Sequence, residues 1–103
     1  MPPRTNDGPM EHDLKTWPES YDAVARGDKT HEVRRCDRPY HVGDVLTLRR
    51  WDPQAEEYTG DVLHRQITYI TPLSKWVPGP EAAKWCVLSI SPYAMPPAPQ
   101  GQP

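Results

Sequence analysis

Residues 18–35 read PESYDAVARGDKTHEVRR, and this stretch predicts a helix, a turn and a strand in succession. Tyr21 and Val24 recur at the spacing of one helical face, so a helix that begins at the proline can bury them together. Gly27 stands where helices commonly end on a left-handed residue. The residues after it alternate as in a strand, although seven of the nine in GDKTHEVRR are polar or charged. The sequence therefore places an unusually charged strand directly after a predicted helix.

The rest of the chain shows short alternating runs that are typical of β-strands. The predicted elements are a strand at 12–17, a helix at 18–29, and strands at 29–36, 45–51, 61–71 and 84–93. Several short strands at this spacing favour a small barrel or a strongly curled sheet, and closing the sheet would remove its exposed edges. We therefore predict a mainly β (α+β) fold, a small β-barrel of about five strands with one helix between strands 1 and 2.

The 103-residue chain is long enough for one domain. Its ends, MPPRTNDGPM and PPAPQGQP, are polar and rich in proline and glycine. We predict disordered tails at residues 1–10 and 94–103 and a folded domain at residues 11–93. A domain of that size buries a modest core, so a single pocket or binding face fits it better than a large multi-substrate enzyme.

Composition also narrows the chemistry. The two cysteines, Cys36 and Cys86, form no CxxC pair, and no secretory signal opens the chain, so both are expected to be reduced thiols in the cytoplasm. No spacing of cysteines and histidines supports a metal site, and no cofactor is expected. No apolar run is long enough to cross a membrane, so no membrane partner is expected either. We expect a monomer.

Charge is distributed unevenly along the chain. The net charge is −2, but residues 26–50 contain seven basic and four acidic residues, a local balance of +3. This pattern fits a basic binding face on a nearly neutral domain. It also fits a solvated strand surface with interspersed charges, and the charge pattern alone leaves both interpretations open.

Three charged residues of the strand after the helix are candidates for a site: Lys29, Glu32 and Arg34. Alternation puts Glu32 and Arg34 on one face and Val33 on the other, which we expect to enter the core together with His31. One interpretation is a surface ion pair worth at most ~1 kcal/mol. The other is a polar pocket below the end of the helix, where burial tunes the lysine and the carboxylate into an acid–base pair.

Gly27, Lys29, Glu32 and Arg34 form the pattern G-x-K-x-x-E-x-R on the step from helix to strand, which resembles the signature of the ASCH domain, a relative of PUA-like RNA-binding barrels. The chain is similar over about residues 11–91 to the short stand-alone ASCH-like family of unknown function found in bacteria and their phages. The flanking residues that carry this similarity are His12, Leu14, Lys15, Asp37, Arg38, Gly43, Asp44, Trp51, Asp52, Pro53, Tyr58, Thr59 and Gly60.

The resemblance implies a β-barrel whose pocket is lined by the motif and whose ligand is RNA, a nucleotide or a modified nucleoside. The alternative that it implies is a small hydrolase acting on RNA or on a modified nucleoside, in the manner of N4-acetylcytidine amidohydrolases, with Lys29 and Glu32 as the catalytic pair. Those hydrolases carry a threonine three residues after the lysine, where this sequence has Glu32. The motif therefore predicts a site and leaves the reaction open.

The resemblance adds His12 and Lys15 to the predicted ligand-binding residues, and Trp17 can stack a base. The complete set is Lys15, Lys29, Glu32, Arg34, His12 and Trp17. His12 and Lys15 also fit a solvent-exposed pair, and large aromatic residues are more often part of the core, as we expect for Trp85. Gly43 and Asp44 predict a turn and nothing more.

Overall fold

The computed structural model describes residues 8–93. The elements follow in the order β1 (Glu11–Thr16), α1 (Pro18–Arg26), β2 (His31–Arg35), β3 (Val45–Asp52), β4 (Glu57–Pro72) and β5 (Trp85–Pro92), with short 3₁₀ helices at Leu73–Lys75 and Ala82–Lys84. The prediction of a mainly β domain with its α-helix between the first two strands is confirmed for this range. Residues 1–7 and 94–103, where disordered tails are predicted, lie outside the described residues.

The five strands form one sheet in the order β1-β3-β4-β5-β2. Strands β3, β4 and β5 make an antiparallel meander, while β1 joins β3 in parallel and β2 joins β5 antiparallel. The two strands nearest the N-terminus are therefore the two edges, and the predicted closed barrel is not formed. Closure would need backbone pairing between β1 and β2.

The sheet nevertheless curls until its two edges face each other. The guanidinium of Arg34 in β2 donates a hydrogen bond to the carbonyl oxygen of Lys15 in β1 at 3.2 Å. Register shifts in the β3–β4 and β4–β5 ladders mark bulges, and bulges increase local twist and bend a strand. We call the gap between the facing edges of β1 and β2 the seam. The structure is a curled half-barrel that side chains bridge at the seam.

The core lies between α1 and the concave face of the sheet. Its most deeply buried members include Leu46 and Leu48 of β3, Ile67 of β4 and Leu88 of β5, which are at most 1% exposed. The helix adds Val24 to this cluster. Burying side chains of this size contributes roughly 1.5–3 kcal/mol each. Trp85, which we expected in the core, is only half-buried.

Helix α1 ends at Arg26, three residues earlier than predicted, because Gly27 adopts the left-handed conformation with φ 88°. The backbone N–H groups of Asp28 and Lys29 then turn back to the carbonyl of Ala23 at 3.0 and 3.1 Å. This turn carries the chain directly into β2. It holds Lys29 close beneath the helix.

None of the helices in residues 8–93 has the length and apolar composition needed to span a lipid bilayer.

Candidate functional site

Strand β2 turns its charged face toward the interior. Glu32 is 2% exposed, whereas Val33 is 48% exposed and His31 lies in solvent. The expectation that Val33 and His31 enter the core is therefore wrong. Register decides the matter, because Glu32 lies opposite Leu88, which points fully into the core. Paired residues of neighbouring strands share a face of the sheet, so Glu32 is carried inward.

Two cations flank the buried Glu32 carboxylate. Arg34 donates from Nε at 3.1 Å and from Nη2 at 2.9 Å to Oε2. The Lys29 ammonium lies 3.5 Å from Oε1. The three residues, which we call the motif cluster, carry a net charge of +1. A buried carboxylate tolerates its loss of hydration only when opposite charges compensate it, and this pair supplies that compensation.

Lys29 joins the motif cluster to helix α1. Its ammonium donates a hydrogen bond to the Ser20 hydroxyl in the first turns of the helix. The Lys29 side chain is 25% exposed, so it reaches both the buried carboxylate and solvent. Oε1 of Glu32 is buried and has no hydrogen-bond partner within the described range. This oxygen and the ammonium face each other at ion-pair distance.

Arg34 joins the motif cluster to strand β1. Besides Glu32 and the Lys15 carbonyl, its Nη2 lies 3.5 Å from the Thr16 hydroxyl. That hydroxyl is buried and donates to the Leu14 carbonyl at 3.1 Å. The Arg34 side chain is 24% exposed. Arg34 is therefore fixed from two strands while part of its guanidinium stays accessible.

A cavity of about 290 Å³ opens at the seam beside Arg34. Its lining includes Leu14, Tyr40, Trp85, Asp37 and three arginines, Arg34, Arg35 and Arg38. A second bridge crosses the seam here, since Nη1 of Arg38 donates to the carbonyl of Asp13 at 2.9 Å. We call this space the seam cavity. Three arginines against one aspartate make its lining positive.

Aromatic rings form part of the same cavity. The Arg35 guanidinium lies 5.2 Å from the centre of the Trp85 ring, which is within cation–π range. Tyr40 is 3% exposed. Burial raises the pKa of its hydroxyl, although the charges of Arg38 and Arg34 oppose this shift. Tyr40 therefore stays protonated, and the cavity combines cationic forks with planar apolar surface.

His12 belongs to a separate cluster on the inner face of β1. Its Nε2–H donates to Asp44 Oδ2 at 2.8 Å, and its ring packs 4.8 Å from that of Tyr40. It precedes Thr16 by four residues, which is roughly 13 Å along a strand. At 4% exposure it lies behind the seam cavity and away from the motif cluster.

The other two predicted ligand-binding residues are Lys15 and Trp17, and their side chains also lie outside the motif cluster. The Lys15 ammonium lies 3.9 Å above the Trp51 ring, and only the Lys15 backbone oxygen meets Arg34. Alternation explains this, because Lys15 and His12 point to opposite faces of β1. Trp17 stands at the start of α1 and is 51% exposed.

Sequence reasoning missed two groups. Asp44, predicted only as part of a turn, is 1% exposed and accepts hydrogen bonds from His12 and from the backbone N–H groups of Met10 and His41. The other group is Arg35 and Arg38 at the seam cavity. The local excess of basic residues between positions 26 and 50 indicated such a group. A count of charges, however, does not show which arginines lie close together in the fold.

No three His, Cys, Asp or Glu side chains in residues 8–93 are grouped so as to hold a metal ion. The motif cluster can instead bind an anion or a polar group through Lys29 and Arg34, and the seam cavity can bind an anion and a planar ring. Lys29 and Glu32 also stand close enough to exchange a proton through a bound water.

Comparison with known proteins gives the chain a family. A model described as "Domain of unknown function (DUF3850)" matches residues 11–90, which contain the motif cluster and the seam cavity. The chain belongs to this family. The DUF3850 domain is also similar to the "Uncharacterized 12.9 kDa protein in GpA 3'region" of Escherichia phage P2, with 36% identity over 66 residues. That match spans 64% of this chain and 59% of the phage protein.

Proposed function

We propose that this DUF3850 domain binds RNA or a nucleotide at the seam, as an ASCH-like module of the PUA-like type. The observation that carries the proposal is the motif cluster, in which a carboxylate 3% exposed holds two partly exposed cations beside a cavity. The cations are available to oxygen atoms of a ligand. A cytoplasmic location, in which both cysteines remain reduced, fits this function.

The roles within the motif cluster follow from burial. Glu32 is too enclosed to read a ligand directly, so it acts as a positioning residue for Lys29 and Arg34. Arg34 meets the seam cavity, where its Nη1, which makes no hydrogen bond within residues 8–93, can donate to phosphate oxygens or to the acceptor edge of a base. Lys29 adds a compact positive charge from the side of α1.

Energetics support a functional role for Glu32. Moving a carboxylate out of water costs several kcal/mol, and an apolar side chain at such a position often stabilises a fold equally well or better. The ion pairs at Glu32 are therefore expected to stabilise the fold no more than a buried leucine at this position would. What a leucine cannot do is hold two cations in place at the seam.

The second candidate is a small hydrolase acting on RNA or on a modified nucleoside such as an N4-acylated cytidine. One observation favours it: no group in residues 8–93 donates a hydrogen bond to Glu32 Oε1, which lies 3.5 Å from the Lys29 ammonium. In this candidate Lys29 is the general base, Glu32 passes the proton on, and a water is the nucleophile.

Ligand screening separates the two candidates. The protein is incubated with modified and unmodified nucleosides, nucleotides and short single-stranded RNAs, binding is measured by calorimetry, and the products are identified by mass spectrometry. Arg34→Ala is expected to weaken binding by about tenfold, because it removes a charged donor. Lys75→Ala, an exposed lysine away from the motif cluster, is the control and should leave binding unchanged.

Saturable binding without a change of mass supports the binding module. Turnover that disappears in both Lys29→Ala and Glu32→Ala, with the fold intact by circular dichroism, would replace it with the hydrolase. Absence of binding to every nucleoside, nucleotide and RNA would overturn both candidates.

A further inference from the structure

We propose that the seam cavity is a phosphate-binding subsite, so that the ligand of the DUF3850 domain carries a phosphate and is not a free nucleoside. This inference rests on the proposed function and names its ligand class. The phosphate meets Arg35 and Arg38, while the attached nucleoside extends toward Arg34 and the motif cluster.

The ionic partners of the arginines support this assignment. Arg26, Arg49 and Arg50 each bind an aspartate, namely Asp28, Asp13 and Asp22. Arg65 is outside the seam cavity and donates to the carbonyl oxygens of His64 and Val24. No carboxylate lies within ion-pair distance of Arg35 or Arg38 in the part of the chain that the structure describes. The three arginines and one aspartate of the lining therefore carry a net charge of +2. Glu32 compensates the charge of Arg34 but not those of Arg35 and Arg38. A phosphate supplies the missing negative charge.

Each of the two arginines is also held in a defined place. Nη1 of Arg38 is bound to the Asp13 carbonyl across the seam, and the other N–H groups of this guanidinium remain for a ligand. The Arg35 guanidinium lies within cation–π range of the Trp85 ring, a contact that does not consume its N–H groups, so they remain for hydrogen bonds to a ligand. A guanidinium held in this way loses little freedom when it binds a phosphate.

The shape of the seam cavity favours a nucleotide over an acidic peptide. About 290 Å³ is at the lower end of pockets that hold small molecules and suits a single nucleotide unit. Trp85 and the buried Tyr40 add planar surface next to the cations. Cationic forks beside aromatic planes are the usual combination for the backbone and bases of single-stranded nucleic acid.

The test compares each of the four common ribonucleosides with its 5′-monophosphate by calorimetry, on the full chain. Arg35→Gln and Arg38→Gln remove one charge each, and Arg26→Gln is the matched control, because Arg26 is 61% exposed and does not line the seam cavity. The phosphate is expected to tighten binding by about tenfold. Each seam variant should remove most of that gain and leave nucleoside affinity within about twofold, with no effect in the control.

Amide NMR spectra of the variants verify that the fold is retained, so that a loss of binding reports on the site. Equal affinity for nucleoside and monophosphate, or a gain that survives both seam variants, would overturn the subsite while the proposed function stands. Inorganic pyrophosphate is titrated in parallel. If it binds only when both arginines are present, and no nucleoside or nucleotide binds, the phosphate site is supported and the proposed function fails. If nothing binds except an acidic peptide, both are wrong.

Discussion

Asp44 shows how much one buried carboxylate can organise. It immediately precedes β3, and its oxygens accept from the backbone of Met10, from the backbone of His41 and from the His12 ring at 2.8–3.0 Å. These bonds connect the entry of β1 to the turn before β3. The register of the parallel β1–β3 pair, in which Glu11 faces Val45, begins at this point.

Replacing Asp44 with alanine is therefore expected to lower the free energy of unfolding by about 3 kcal/mol, because one buried and two partly buried hydrogen bonds lose a charged acceptor. Urea denaturation measures the change. Asp37→Ala removes an exposed carboxylate from the same connection between β2 and β3, and it should lower the free energy of unfolding by no more than about 0.5 kcal/mol. Equal losses in the two variants would show that Asp44 has no special role.

The Cys86 thiol makes stability depend on alkaline pH. Burial, assisted by the neighbouring Cys36 side chain, raises the pKa of Cys86 from 9.0 to about 12. The folded state therefore keeps the thiol protonated where the unfolded chain loses the proton. This contribution to stability is complete below pH 9 and is lost as the pH rises toward 12.

As the pH rises from 8 to 10, loss of this thiol proton in the unfolded chain is expected to lower the free energy of unfolding by about 1 kcal/mol. Tyr40 and Tyr21, whose hydroxyl pKa values are also raised, add losses at still higher pH. Cys86→Ala should flatten the profile between these two pH values, measured by urea denaturation at each. Cys36→Ala should retain most of the slope, since burial is the larger cause. A profile that is unchanged in Cys86→Ala would refute this account.

At the scale of elements, local signals predicted the helix and the strands well. Helical spacing and Pro18 located the start of α1, and Gly27 located its end to within three residues. These signals suffice because a helix start and a left-handed terminus depend on a few neighbouring residues. The start of β4 was harder to predict from the sequence, because its first four residues, Glu57–Gly60, have the composition of a loop.

The inward face of β2 could not be predicted in the same way. Alternation defines two faces without saying which one is buried, and Val33 suggested the wrong one. The choice is made by the register with β5, which sets Glu32 opposite Leu88, and by two cations, one in the turn after α1 and one on β2 itself. The structure brings the three motif residues together, and they are held by contacts with α1 and β1 that are distant in sequence.

The end of α1 gives a prediction at this scale. Gly27 has φ 88°, and a Cβ built on it meets no atom within 4 Å, so a substitution there is strained without any clash. Gly27→Ala is expected to lower the unfolding free energy by about 1 kcal/mol. Gly27→Asn should cost less, because asparagine tolerates the left-handed region. Thermal unfolding compares the two, and an asparagine variant less stable than the alanine variant would contradict the argument.

At the scale of the whole molecule, the sheet combines local and distant pairings. Strands β3, β4 and β5 follow one another in sequence and in space, whereas β1 and β2 pair with strands that lie 34 and 50–58 residues further along. Closing short loops costs less chain entropy than closing long ones. The meander is therefore expected to form first, with the two edge strands added to it.

Two buried leucines test this order of folding. Leu48 lies in β3 between its partners Leu63 of β4 and Leu14 of β1, whereas Leu14 lies in the edge strand and pairs with Leu48 alone. Each substitution to alanine should lower stability by about 2–5 kcal/mol. Stopped-flow kinetics should show that Leu48→Ala mainly slows folding and that Leu14→Ala mainly speeds unfolding. The reverse pattern would place the edge strand β1 in the folding nucleus.

The arginine bridges at the seam have one more consequence. A backbone ladder fixes the spacing of two strands at about 4.8 Å, but a guanidinium on a flexible stem does not. Arg34 and Arg38 are held by hydrogen bonds to the carbonyls of β1, but each bond can form again at another strand separation because a long side chain has several staggered rotamers. Backbone pairing therefore does not set the width of the seam, which can change while the ladders of the half-barrel stay intact.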